Sequence, residues 1–234
     1  TLKILNNKGE LAAIEKKIVP LEKVFDLQGM KILKNNEKSY LKTSISNTQL
    51  LIPVAGQPPN VTENSRLRKI DKFIMYAIDA ADQAISDSGW SVEKEVDAHR
   101  TGVLIGSGIG GIETFTKNHI KLLKNPKTVS PLFIPMLISD IVPGHISIKH
   151  GFKGPNYSVV SACATGSHSI GDASEMIKRG AADIMIAGGA EAAVCRLGIA
   201  GFCAARSLST HFNDNPEIAS RPWDKDRDGF VMGE

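Results

Sequence analysis

From residue 70 to 88 the chain returns to an apolar residue at helical intervals. Ile70, Phe73, Ile74, Ala77, Ile78, Ala81 and Ile85 share one face, and Gly89 follows where a helix would stop. The spacing predicts an amphipathic helix. The pattern then changes: residues 101–105 form a short unbroken apolar run that empties into Gly106-Ser-Gly-Ile-Gly-Gly111, as a buried strand followed by a turn would. Residues 136–150 carry a helical pattern in spite of Pro143, and 151–155 a turn. Residues 157–161 predict a second strand. The segment after it puts Ile170, Ala173 and Ile177 on one face and closes on Lys178-Arg179-Gly180, a basic last turn with a glycine stop. Residues 183–187 predict a third buried strand, ending in Gly188-Gly189. Helices alternating with near-continuous apolar strands predict an α/β fold, a mostly parallel sheet covered by helices on both faces.

The first fifty residues are rich in Lys and Asn and show no motif, and Pro53, Gly56, Pro58 and Pro59 mark a loop after them. Residues 1–55 are therefore an unassigned segment and linker, and 56–234 the region expected to carry the chemistry. At 234 residues and 42% hydrophobic, the chain can bury a full core. It has no eighteen-residue apolar stretch for a membrane span, and its start lacks the apolar core of a secretory signal. Three cysteines, an odd number, speak against a disulfide framework and for a reducing compartment, the cytoplasm. No Cys or His pair has zinc-ligand spacing, so no metal is expected. The net charge is only +3, but Lys and Arg crowd into 1–72. Such a cluster is a solvated face or a docking surface for an acidic macromolecule. No nucleic-acid-binding module accompanies it.

The candidate chemistry lies in Val159-Val-Ser-Ala-Cys-Ala-Thr-Gly-Ser-His168. A strand ends in two β-branched residues, a thiol follows among small neighbours, and a helical segment begins. A helix starting there would aim unpaired N–H groups at the sulfur, with its positive end favouring the thiolate. Small neighbours leave room for a carbonyl to approach. Cys163 is thus the candidate acyl-accepting nucleophile. Most free cysteines are buried structural thiols, and Cys195 and Cys203, flanked by Val194, Phe202 and Ala204, suit that description. His168 lies about 140° around a helix from Cys163, which makes it a poor base and points to packing or solvent contact. The glycine run 106–111 fits a tight strand-to-helix turn better than a dinucleotide cradle, since no acidic residue follows at the required distance. Asp224, Asp226 and Asp228 suggest a calcium loop, but no closing Glu follows and an ion-pair turn fits better.

Several motifs together resemble the β-ketoacyl-acyl-carrier-protein synthases, of the type II group that elongates fatty acyl chains. They are Arg68-Lys-Ile-Asp-Lys-Phe73, the 106–111 glycine run, Ser130-Pro-Leu-Phe-Ile-Pro135, Gly154-Pro155 and Ser161-Ala-Cys-Ala-Thr-Gly166. Further on come Ala187-Gly-Gly-Ala-Glu191, Gly201-Phe202, Ala205-Arg-Ser-Leu-Ser209 and Arg221-Pro-Trp-Asp-Lys-Asp-Arg-Asp-Gly-Phe-Val-Met-Gly-Glu234. The resemblance implies a thiolase-like fold, incomplete relative to the family, and a homodimer that uses no cofactor. It implies that Cys163 accepts the acyl chain from acyl-carrier protein, with its own backbone N–H in the oxyanion hole, before condensation with malonyl-carrier protein. It places Ile109, Phe133 and Phe202 in the acyl pocket, Phe133 reaching across the dimer. Arg68, Lys69, Lys127 and Arg206 fall at basic positions where the acidic carrier protein docks. The family's opening strand has no match in residues 1–50. Its decarboxylating histidines belong to a second half, and none of His99, His119, His145, His150, His168 or His211 stands in a matching motif. Two alternatives follow: an incomplete ketosynthase-like protein that keeps only acyl acceptance or partner contacts, and a cysteine hydrolase that would need a base beside Cys163. A half-fold is also expected to leave apolar surface uncovered.

Overall fold

The structure, a computed structural model, describes residues 3–5, 55–56 and 70–233, which fall into two units. In chain order the elements are β1 (Lys3–Leu5), β2 (Ala55–Gly56), α1 (Lys72–Ser88), α2 (Glu95–Arg100), β3 (Thr101–Gly106) and α3 (Ile112–Lys124). After these come α4 (Phe133–Leu137), α5 (Ile141–His150), β4 (Asn156–Tyr157), α6 (Thr165–Lys178), β5 (Ile184–Gly189), α7 (Arg196–Ala204) and β6 (Met232–Gly233). Of the described residues, the first unit takes in 3–5 and 70–192, the second 55–56 and 193–233.

In the first unit the strands lie in the order β1-β5-β3-β4. β3 runs parallel to both neighbours, and β1 is antiparallel to β5. Alternation along the two central strands builds a core on each face. Val103, Ile105 and Ile186 point to one side, where Phe73, Ile74, Ala77, Ile78 and Ala81 of α1 and Val142 and Ile146 of α5 cover them. Leu104, Met185 and Ala187 point to the other, under Ala173, Met176 and Ile177 of α6. This is the predicted layering, with every residue of β3 buried. α1 matches its predicted span, and Gly89 closes it in the left-handed conformation, φ 65°.

The predicted 136–150 helix is two helices, α4 and α5, because the chain turns at Ser139 and Asp140. Pro143 then falls in the first turn of α5, where its missing N–H has no carbonyl to meet in any case. The strand predicted over 157–161 is also shorter. β4 pairs with β3 at two positions only, Val103 with Asn156 and Leu104 with Tyr157. Val159 and Val160 leave the ladder, so β-branched propensity does not extend this edge strand.

In the second unit β2 runs parallel to β6, and Ala193, Leu208 and Met232 form a small core. The charged run after residue 220 is tied down by side chains. Asp228 accepts from the Ser209 hydroxyl at 2.6 Å and from the N–H groups of Thr210 and His211 at 2.7 and 2.8 Å. Arg221 donates to Asp224 at 3.0 Å. Among the described residues no helix is long and apolar enough to cross a membrane, and no three His, Cys, Asp or Glu side chains are grouped as metal ligands.

Candidate functional site

Central strand β3 ends at Gly106, against the segment that leads to Cys163. A side chain on Gly106 would collide with the Val159 carbonyl and the Thr165 methyl, so only glycine permits this contact. The loop that follows is organised by a carboxylate from beyond β5. Glu191 accepts from the Ser107 hydroxyl at 2.8 Å through Oε1 and from the Ile109 N–H at 3.0 Å through Oε2. Ser107 accepts in turn from Gly110 N–H at 3.0 Å. The loop therefore spends these donors on the protein's own anion. A phosphate placed there would meet a carboxylate, and the strand-to-helix turn is the reading that stands. Gly108 lies close to the nucleophile segment: a Cβ there would sit 3.3 Å from the Ala162 carbonyl oxygen.

Beside this loop is a cavity of about 350 Å³, lined by Ser107, Gly108, Ile109, Leu137, Ile138, Ser139, Asp140, Ser158 and Val160. It combines an apolar side with hydroxyls. Val160, at its wall, is exposed and stands three residues before Cys163.

Cys163 sits at the centre of a 3₁₀ turn, Ala162–Ala164, and α6 begins at Thr165. The helix thus starts two residues later than the sequence suggests. The thiol is exposed, unlike the half-buried Cys195 and Cys203. Burial pushes the Cys203 thiol up from its ordinary value, which suits a structural role. Ala162 holds φ 50°, a left-handed conformation that costs an alanine roughly 1–2 kcal/mol. Buried Thr165 braces the turn by accepting from Ser161 N–H at 2.9 Å and donating to the Ala162 carbonyl at 2.7 Å. On the open side, Ser161 Oγ and His168 Nδ1 are 2.6 Å apart, in hydrogen-bond contact. The turn is strained and fixed from two sides, the form expected where a side chain must be presented.

The other expected site residues separate by unit. Ile109 lines the cavity with its side chain exposed. Phe133 opens α4 and packs near Phe115, ring centroids 6.4 Å apart, and is not part of that lining. Phe202 lies on α7 in the second unit, edge-on to Phe230 at 5.1 Å. Lys127 and Arg206 are exposed, and Arg206 adopts a left-handed φ of 54°. Arg68 and Lys69 lie outside the described residues. Sequence reasoning missed the bracing roles of Thr165, Ser161 and His168, and it quoted Glu191 only as part of a motif. A carboxylate placed two residues past a buried strand that ends in Gly-Gly was the available signal for Glu191.

The sheet is parallel apart from β1, its central strand ends in a glycine loop, and a cysteine stands at the head of a covering helix. The family described as "Beta-ketoacyl synthase, N-terminal domain" matches residues 34–234. The chain belongs to the β-ketoacyl synthase family. The 3-oxoacyl-[acyl-carrier-protein] synthase 2 of Rhizobium meliloti is 54% identical over 173 residues, which is 74% of this chain and 41% of that protein. That of Staphylococcus aureus is 47% identical over 198 residues, 82% and 48% of the two chains. The mitochondrial 3-oxoacyl-[acyl-carrier-protein] synthase of Arabidopsis thaliana is 44% identical over 209 residues, 88% and 45%. The chain thus spans under half the length of these relatives. Among solved structures, a β-ketoacyl synthase from Burkholderia phymatum matches with a TM-score of 0.72 at 24% identity, over 100% of this chain and 57% of that one. A type II polyketide ketosynthase solved with its acyl-carrier protein matches at 0.71 and 23%, over 100% and 54%.

Proposed function

We propose that this chain carries the acyl-accepting half of a 3-oxoacyl-[acyl-carrier-protein] synthase of the type that elongates fatty acids. The Cys163 sulfur attacks the thioester carbonyl of an acyl chain on acyl-carrier protein, and the carbonyl oxygen takes the negative charge, met by the Cys163 backbone N–H. As the intermediate collapses, the carrier's thiol leaves and takes a proton, and the acyl group stays on Cys163. Condensation follows when malonyl-carrier protein loses carbon dioxide and its carbanion displaces the sulfur. The region that bears this chemistry is 56–234.

One observation supports the reading above the rest: an exposed thiol at the head of α6, on a turn that holds a left-handed alanine and is braced by Thr165. The resemblance assigns Ile109, Phe133 and Phe202 to the acyl chain, and Arg68, Lys69, Lys127 and Arg206 to the carrier protein. Two copies pair through exposed apolar residues such as Leu123 and Ile134, 74% and 54% exposed. Free cysteines suit a reducing compartment, the cytoplasm.

The test is intact mass after incubation with acyl-carrier protein loaded with a fatty acyl chain. One acyl adduct on Cys163, absent in Cys163→Ala, is the expected result. Labelling elsewhere, or none, refutes the acyl-acceptor role.

A further inference from the structure

We propose that His168 is a positioning residue for the Cys163 thiol, acting through Ser161; this rests on the reading of Cys163 as the acyl acceptor. Ser161 precedes the left-handed Ala162 and stands at the N-cap of the 3₁₀ turn, yet its hydroxyl makes no capping bond. That hydroxyl meets His168 Nδ1 instead, at 2.6 Å. The contact joins the entry of the turn to the fourth residue of α6, so it closes a loop around the residue that carries the sulfur. Thr165 braces the same turn from the buried side. His168 works from the solvent side, where it is exposed and has no core to fill.

The imidazole holds this bond in either charge state. Neutral, it accepts the Ser161 proton at Nδ1; protonated, its Nδ1–H donates to Ser161 Oγ. That suits a brace, which must persist in both charge states, whereas a base acts only when unprotonated. With the brace removed, Ser161 is free to rotate, and Ala162 can leave its left-handed conformation and take Cys163 out of line.

The experiment measures the rate of Cys163 alkylation by iodoacetamide in the whole chain, with peptide mapping to separate it from Cys195 and Cys203. His168→Leu and Ser161→Ala should each slow alkylation about fivefold, the worth of one hydrogen bond. The double variant should be no slower than either alone. His168→Asn, whose amide can stand where Nδ1 stands, should recover the rate, and His168→Gln, whose amide stands nearer Nε2, should not. Wild-type rates in His168→Leu and Ser161→Ala overturn the proposal, as does equal behaviour of the Asn and Gln variants. Alkylation needs no carrier protein. If this pattern holds while wild type takes no acyl group from the carrier, the acyl-acceptor reading falls and the positioning role stands.

Discussion

Asp71 caps two helices with one carboxylate, and its removal is a sharp test of how the site's scaffold is held. The residue is 4% exposed. Its Oδ1 accepts the Phe73 N–H at the start of α1 at 3.4 Å, and its Oδ2 accepts the Thr114 N–H in the first turn of α3 at 3.1 Å. Truncating an N-cap to alanine costs about 1 kcal/mol, and a hydrogen bond to a charged group is worth about 1.5–3 kcal/mol. The α1 contact is long and counts for less than a full cap. Asp71→Ala should therefore lose about 2–3 kcal/mol, a large share of the ~5–15 kcal/mol that stabilises a folded protein. With a urea slope of roughly 2 kcal/mol per molar, the midpoint of unfolding should fall by about 1 M. Asp71→Asn keeps one acceptor oxygen but turns an amide N–H₂ toward the other donor, so it should lose about half as much or more. Urea unfolding followed by circular dichroism gives both numbers. An alanine variant within about 0.5 kcal/mol of wild type, the range of an ordinary surface change, would refute the double-cap argument.

Two further outcomes are expected. Burial works against ionisation of Asp228, but hydrogen bonds from Ser209, His211 and Thr210 outweigh it and hold its carboxyl at about 2. A carboxyl depressed on folding stabilises above its unfolded value, ~3.9, and loses that contribution as the pH falls toward 2; after allowance for solvent screening, about 1–2 kcal/mol should disappear across that window. Stability measured against pH for wild type and Asp228→Asn tests this, and parallel curves between pH 4 and 2 would contradict it. Gly106→Val should cost at least about 3 kcal/mol or prevent folding, because its side chain meets backbone at Val159 and the Thr165 methyl with no room to yield. A variant with a wild-type melting temperature would show that the strand end and the nucleophile segment can separate.

Much of this protein follows from the chain read locally. The apolar face of α1, its stop at Gly89, the buried runs of β3 and β5 and the closing glycine of α6 depend on spacings of two or about four residues. Steric and periodic rules act over such distances, so these features were legible. Cys163 was legible too, because a thiol among small residues between a strand and a helix is a local pattern. The start of α6 was less so. Placing His168 around a helix that begins at Cys163 puts it far from anything useful, but the 3₁₀ turn and the left-handed Ala162 change the phase and bring it to Ser161. The remaining features are long-range pairings. Glu191 reaches Ser107 across 84 positions, Asp71 reaches Thr114 across 43, and β1 joins β5 antiparallel. Each depends on where the sheet and its covering helices bring distant segments together. No local rule contains that information, so only the tertiary structure decides which carboxylate meets which donor and which hydroxyl braces the thiol.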